Sequence, residues 1–277
     1  MDTYYIDGKF VKEDDAVISV KDISVLRGYG VFDFMRTYGG KPFHIEDHIN
    51  RLENSANLVG IHVPCSKPEI TDIVMQTLAK NNHAESNIRL VITGGISPDS
   101  ITPMGNSKLM VMVTELHPSP VEWYTKGVKI ITSDIQRYMP GAKSTTYLQA
   151  ILVLKKAREL GAMESLYVDQ NNRLLEGTVT NFFMFAGDKL VTARGGILPG
   201  ITRQVLLDVL KDEFEIQIRD IDKSEIASAT EAFISGSTRE VVPVVKINDI
   251  PVGNGEIGPN VRRAMEFFLK YTTAYAR

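Results

Sequence analysis

The chain has 277 residues, 31 Lys and Arg against 34 Asp and Glu for a net charge of -3, 43% hydrophobic residues and one cysteine. That length and apolar content can bury a substantial core in one large domain or two modest ones, and the scattered basic residues leave no footprint for nucleic acid. Cys65 has no partner for an internal disulfide, no apolar run approaches the ~20 residues of a membrane helix, and no charged head with an apolar core opens the chain, so a soluble protein of a reducing, cytoplasmic compartment is expected.

In chain order, short alternating strands are predicted at TYYIDGKFV and DAVISV. RGYGVFD (27–33) reads as a tight turn: Asp33 stands where a dinucleotide fingerprint needs its third glycine, and no βαβ pattern surrounds it. Helices are predicted over 45–58 and 67–81. His44 and His48 have the spacing of a zinc pair, but the glutamate of HIEDH is not where an HExxH general base stands, so both read as surface histidines and no metal site is expected. Strands IRLVITGG and KLMVMVTEL complete an α+β first half. HPSPVEW, with two prolines, marks a linker, giving a small N-terminal domain over 1–117, a linker over 118–122 and a C-terminal domain over 123–277.

The second half opens with strand GVKIITSDI. A helix follows, ending near Gly161, and its run Ile151 to Leu154 is apolar all round, as in a buried helix. Then come strand ESLYVD, the turn QNNR, one strand LLEGTVTNFFMF, hairpin AGDKLV, a helix over 201–213, and strand EAFISGS running into REVVPVVKI. No Gly-x-Ser-x-Gly elbow and no Walker loop occur, so serine-hydrolase and nucleotide-hydrolase chemistry lack a nucleophile or a phosphate cradle.

Four features of this half make chemical sense together. Lys143, in MPGAKSTTY, follows a Pro-Gly turn and precedes the apolar helix; alone it is an ordinary solvated lysine, but in a cleft a desolvated amine is a usable nucleophile and base. Glu176, a carboxylate inside an apolar strand, is either a solvated strand end or a group placed to hold a proton on a ring nitrogen. Gly200-Ile201-Thr202 opens a helix where backbone N–H groups suit a phosphate or an ordinary cap. Ser237 and Thr238 follow a strand after Gly236 and add phosphate-type donors. An amine, a carboxylate and two phosphate-binding ends are the kit of a pyridoxal-phosphate enzyme.

Through GYGVFDFMRTYGGKPFHIEDHINRL, LLEGTVTNFF, LPGITR and STREVVPV, nearly the whole chain resembles the fold-type IV, or class IV, aminotransferases. The resemblance implies a two-domain α/β (α+β) fold, a small N-terminal α/β domain and a larger C-terminal β-barrel-like one with helices, the cofactor pyridoxal 5'-phosphate between them, and a homodimer. It further implies that Lys143 forms the Schiff base and shuttles the proton, Glu176 pairs with the pyridine nitrogen, Arg51 binds the phosphate with Ile201, Thr202, Ser237 and Thr238, and Leu198 packs on the ring. Tyr147 is a candidate for the ring hydroxyl.

For the substrate carboxylate, Arg27 in SVLRGYG and Arg89 in NIRLVITGG read either as solvated or snorkelling residues or as a clamp. Better-known D-amino-acid transaminases carry an arginine and a histidine after the threonine of the corresponding strand, where this chain has Thr93-Gly94-Gly95. Its LRGYG and IRLVITGG resemble a less common D-amino-acid subgroup, which moves the clamp to Arg27 and Arg89 with Tyr29 lining the pocket. The expected activity is transamination of D-amino acids with 2-oxo acids. Alternatives are a branched-chain L-amino-acid or (R)-amine transaminase, aminodeoxychorismate lyase, or a cofactor carrier without catalysis, against which an intact Lys143 and Glu176 argue.

Overall fold

The computed structural model describes all residues 1–277, which fall into two compact units: 1–117 with 141–147 and 275–277, and 118–140 with 148–274. In the first, β1 (Thr3–Ile6) and β2 (Lys9–Lys12) form a hairpin through Asp7 and Gly8, both at positive φ (45° and 91°), the backbone that a tight two-residue turn demands. The strand expected at DAVISV does not form: residues 16–20 are irregular, and Val17 and Val20 stay exposed because the segment finds no sheet edge to pair with.

RGYGVFD holds more than a turn. It spans the end of α1 (Ile23–Arg27), capped by Asp22 and stopped by Gly28 at φ 67°, and the start of β3 (Gly30–Tyr38). After β4 (Lys41–Pro42) come α2 (Ile45–Val59), α3 (Lys67–Ala79) with a Ser66/Glu69 capping box, β5 (Ser86–Thr93) and β6 (Leu109–Glu115). The sheet runs β2-β1-β6-β5-β3-β4, antiparallel throughout. One face buries Val31, Met35, Ile88, Leu90 and Ile92 against Ile49 and Leu52 of α2 and Ile70 and Val74 of α3. Alternation along β3 and β5 sends Phe32, Phe34 and Arg89 to the other face.

The second unit starts with α4 (Val121–Thr125), one turn that overlaps the predicted linker, followed by β7 (Val128–Asp134), α5 (Leu148–Glu159), β8 (Glu164–Val168) and β9 (Arg173–Gly177). Next are β10 (Asn181–Ala186), β11 (Lys189–Ala193), α6 (Ile201–Leu210), β12 (Ile216–Arg219) and β13 (Ile221–Asp222). The unit ends with β14 (Glu231–Gly236), β15 (Glu240–Ile247), β16 (Ile250–Pro251) and most of α7 (Pro259–Ala276). Pairing passes from β10 through β14, β15, β7, β8 and β9 back to β10, closing a six-stranded barrel, with β11 and β12 added outside it.

Two sequence expectations change here. LLEGTVTNFFMF is two strands, because the wholly buried carboxylate of Glu164 accepts from the Thr178 N–H (3.1 Å), the Thr178 hydroxyl (2.5 Å) and the Thr180 hydroxyl (3.1 Å) and draws 178–180 into a turn. The helix expected to be buried on all sides buries only Ala150, Val153 and Ala157, leaving Ile151 and Leu152 61% and 58% exposed; one stripe suffices to dock α5.

Candidate active site

The catalytic candidate in the first unit is set by its backbone. The Lys143 carbonyl accepts from the Phe32 N–H (2.9 Å) and its N–H donates to the Ser55 hydroxyl (3.0 Å), Thr145 donates to the Gly30 carbonyl (2.9 Å), and Ser144 bridges Val31. The segment 141–147 is thus an added edge on β3, and Ser55, which itself bonds the Arg51 carbonyl (2.8 Å), ties it to α2. The Lys143 ammonium lies 4.8 Å from the centre of the Phe32 ring, whose edge meets Tyr147 at 5.5 Å between centroids. The Arg89 guanidinium lies 5.3 Å from the same ring and 5.0 Å from Phe34. Although Arg89 keeps solvent contact along its length, burial of its head among the rings pushes its pKa down, with Tyr147 opposing. Lys143, Tyr147 and Arg89 therefore surround one aromatic platform.

Arg51 sits on the buried side of α2, gripping Asp33 through Nε and Nη2 at 2.8 Å each, while the His48 ring nitrogen Nδ1 donates to the same carboxylate at 2.6 Å. His48 is almost wholly buried, not a surface histidine: a helix turn from Arg51, its ring is drawn inward by the Asp33 carboxylate. Burial lowers the His48 pKa against the pull of Asp33. For Asp33, burial alone would raise the pKa, but the charges and hydrogen bonds of Arg51 and His48 outweigh it and hold the carboxyl below its ordinary range. Asp33 thus stabilises the fold above that range, and this contribution is lost as pH falls through it. Asp33→Asn is expected to cost about 3 kcal/mol at pH 7 by stranding a buried guanidinium. The deficit should narrow at pH 3 in urea unfolding of the holoprotein; equal midpoints at pH 7 would refute it.

The other first-unit candidates are differently engaged. Arg27 ends α1 exposed, with its guanidinium turned back on the Leu26 carbonyl (2.8 Å). The Tyr29 hydroxyl donates to the Val59 carbonyl (2.8 Å), burial raises its pKa, and its ring packs on the core below β3.

In the second unit, Glu176 is 4% exposed near the end of β9. Its Oε2 accepts from the Leu198 N–H (2.9 Å) and from Asn181 Nδ2 (3.5 Å), and Oε1 faces Arg137 Nε at 3.6 Å. Asn181 also donates to the Leu198 carbonyl (3.0 Å), and a Cβ at Gly200 would lie 2.0 Å from Asn181 Oδ1, so the backbone opening α6 approaches the Asn181 amide as only glycine allows. Ile201 and Thr202 occupy the first turn of α6, whose N–H groups have no partner within the helix. Buried Arg203 holds the Thr192 hydroxyl (3.3 Å) and the Ala193 carbonyl (3.0 Å), and burial pushes its pKa down while Glu176 opposes. Ser237 and Thr238 form the half-buried turn from β14 to β15.

Sequence reasoning misses Glu164, Arg137 and Asn181, and with them the role of Asp33. Asp33 and Asn181 leave a signal, each being a polar residue inside an apolar strand; the others leave none.

A buried carboxylate for a ring N–H, leucine against it, and donors from a helix start and a hydroxyl turn fit the polar outline of pyridoxal phosphate. The fold and these groups define a pyridoxal-phosphate enzyme. Residues 30–247 match the family described as amino-transferase class IV, and the chain belongs to it; the family's cofactor is pyridoxal phosphate. A Methanocaldococcus jannaschii protein assigned as a branched-chain-amino-acid aminotransferase is 33% identical, over 98% of this chain and 96% of its own length. A Listeria monocytogenes D-alanine aminotransferase is 28% identical over 97% and 95%. Among solved structures, the branched-chain amino acid aminotransferase of Escherichia coli superposes with a TM-score of 0.91 at 26% identity, covering 97% of this chain and 94% of its own. The branched-chain aminotransferase of the archaeon Thermoproteus uzoniensis, solved with norvaline, gives 0.90 at 26%, covering 98% and 94%. These bear out the fold-type IV expectation.

Proposed function

We propose that this aminotransferase moves the amino group of D-amino acids to 2-oxo acids, with Arg89 as the principal holder of the α-carboxylate. The observation that carries the reading is the shared platform: Lys143 and Arg89 lie 4.8 and 5.3 Å from one ring, Phe32. An amino acid whose α-carbon is served by the lysine would present its carboxylate to the guanidinium, the side chain best suited to a planar, two-oxygen acceptor. Full-length similarity to D-alanine aminotransferases supports the D reading. The branched-chain reading has its own support in the 33% identical relative and the solved structures.

The residues divide the work. Arg51, held in one orientation by Asp33, would bind the phosphate, a role also open to the first turn of α6, Ser237 and Thr238, and Leu198 would pack on the ring. Pyridoxal phosphate, when bound, would supply an electron-accepting ring. Lys143 would take the substrate α-proton and return it, and Glu176 would keep a proton on the ring nitrogen so that the acceptor stays strong. A homodimer is part of the proposal, with the exposed apolar stripe Leu148, Ile151 and Leu152 of α5 available for a second copy to cover.

The test is one absorbance experiment: holoenzyme mixed separately with D-alanine, D-glutamate, L-leucine and (R)-1-phenylethylamine. Loss of the yellow absorbance with the D-amino acids is expected; loss with L-leucine alone would establish the branched-chain reading instead. Glu176→Gln, nearly isosteric, should slow this half-reaction by roughly 100-fold or more and weaken cofactor retention, since an amide cannot hold the ring-nitrogen proton. Unchanged stopped-flow rates would remove the carboxylate from the mechanism.

A further inference from the structure

Asn181 of β10 is paired across the barrel with Glu176 of β9 on one side and with Ser235 of β14 on the other. Residues directly opposite on antiparallel strands point to the same face, about 5 Å apart, so Glu176, Asn181 and Ser235 form one row. Val241 of β15, opposite Ser235, ends the row in an apolar side chain. Glu176 Oε2 and the Asn181 side chain are bonded around Leu198 and the opening of α6, and Glu176 Oε1 faces Arg137 Nε at 3.6 Å. Ser235 has no such contact: it is 1% exposed, and its hydroxyl has no hydrogen-bond partner. One residue further on, Gly236 leads into the turn carrying Ser237 and Thr238.

A buried hydroxyl without a partner costs free energy, and such groups are rare unless something else satisfies them. Here the row begins at the carboxylate assigned to the ring nitrogen, and the strand continues into hydroxyls assigned to the phosphate. We propose that Ser235 is a further cofactor-binding residue, whose hydroxyl donates to an anionic oxygen of pyridoxal phosphate. The proposal rests on the assignment of Glu176 to the same cofactor.

A structural serine and a ligand-binding serine respond oppositely to deletion. In the apoprotein, Ser235→Ala removes an unsatisfied buried group, so its thermal unfolding midpoint should match or exceed that of wild type. Its affinity for pyridoxal 5'-phosphate, titrated by absorbance, should fall by roughly tenfold. Ser235→Cys, similar in volume with a weaker donor, should give an intermediate loss. Titration with pyridoxal, which lacks the phosphate, identifies the oxygen: a loss confined to pyridoxal 5'-phosphate assigns the bond to the phosphate, and an equal loss with both assigns it to the ring oxygen. Unchanged affinity for both, or an apoprotein destabilised by the alanine, would overturn the proposal. Glu176→Gln runs alongside; if its cofactor affinity also equals wild type, the underlying assignment has failed, whatever Ser235 does.

Discussion

Lys143→Ala is expected to reduce transamination by roughly 10⁴-fold or more while leaving the fold and measurable cofactor binding in place. The size follows from the two duties proposed for one amine, nucleophilic anchor and carrier of the α-proton, neither of which has a second basic group on the Phe32 platform to replace it: its other polar members are the Arg89 guanidinium and the Tyr147 phenol. The survival of the fold follows from how the residue is held. The carbonyl taken by Phe32 N–H and the N–H given to Ser55 both belong to the backbone and persist in alanine, as does the Thr145 to Gly30 bond beyond it. The cofactor affinity that remains would come from the proposed phosphate donors and Glu176. Exogenous methylamine should restore part of the rate, because a small amine can enter the volume the side chain vacates. Near-wild-type turnover in the purified variant, or a variant that fails to fold, would contradict this account of Lys143.

Much of this is legible in the sequence because it depends on short-range pattern. Pro-Gly before Lys143, Gly200 before a helix and Glu176 among leucines are local signals, and at Gly200 the structure supplies a reason, the close approach of Asn181. What is not legible depends on pairing between distant segments. By sequence Asp33 spoils a dinucleotide fingerprint and interrupts an apolar strand, but neither sign shows that it lies on the core-facing side of β3 and collects Arg51 and His48 from α2. His48 reads as a surface histidine for the same reason. Glu164 gives no sign that it divides LLEGTVTNFFMF, since the donors of that turn lie 14 to 16 residues away. The α7 helix escapes the sequence reading although its signal is present: Val261, Ala264 and Phe268 are buried at helical spacing, and its first turn is held by Glu231, which accepts from Asn260 and Val261 N–H at 3.1 and 2.7 Å. In the substrate region the sequence pairs Arg27 with Arg89 as equals. Their surroundings differ: only Arg89 has its guanidinium over the Phe32 ring that also receives Lys143.

That difference sets the second large effect. Arg89→Ala should cost about 2 to 4 kcal/mol in transition-state stabilisation for D-amino acids, the loss expected when a carboxylate in a partly desolvated site is deprived of its cation. This is roughly a thirty- to thousand-fold fall in kcat/KM. The lower part of the range reflects the solvent contact that Arg89 retains. A substrate without a carboxylate provides the internal control. For (R)-1-phenylethylamine the same substitution should change kcat/KM little or raise it, because no anion depends on the guanidinium and a partly buried cation is removed from beside the apolar ring of the substrate. The stacking of Arg89 on Phe32 and Phe34 contributes only about 0.5 to 1 kcal/mol to the platform, so its loss should leave Lys143 positioned. The deciding quantity is the ratio of the two effects on one enzyme preparation, in which any folding defect or lost cofactor cancels. Equal losses for the amine and the D-amino acid would make Arg89 a structural part of the platform. Undiminished activity on D-amino acids would place their carboxylate elsewhere, and the D-amino-acid reading would lose the observation on which it stands.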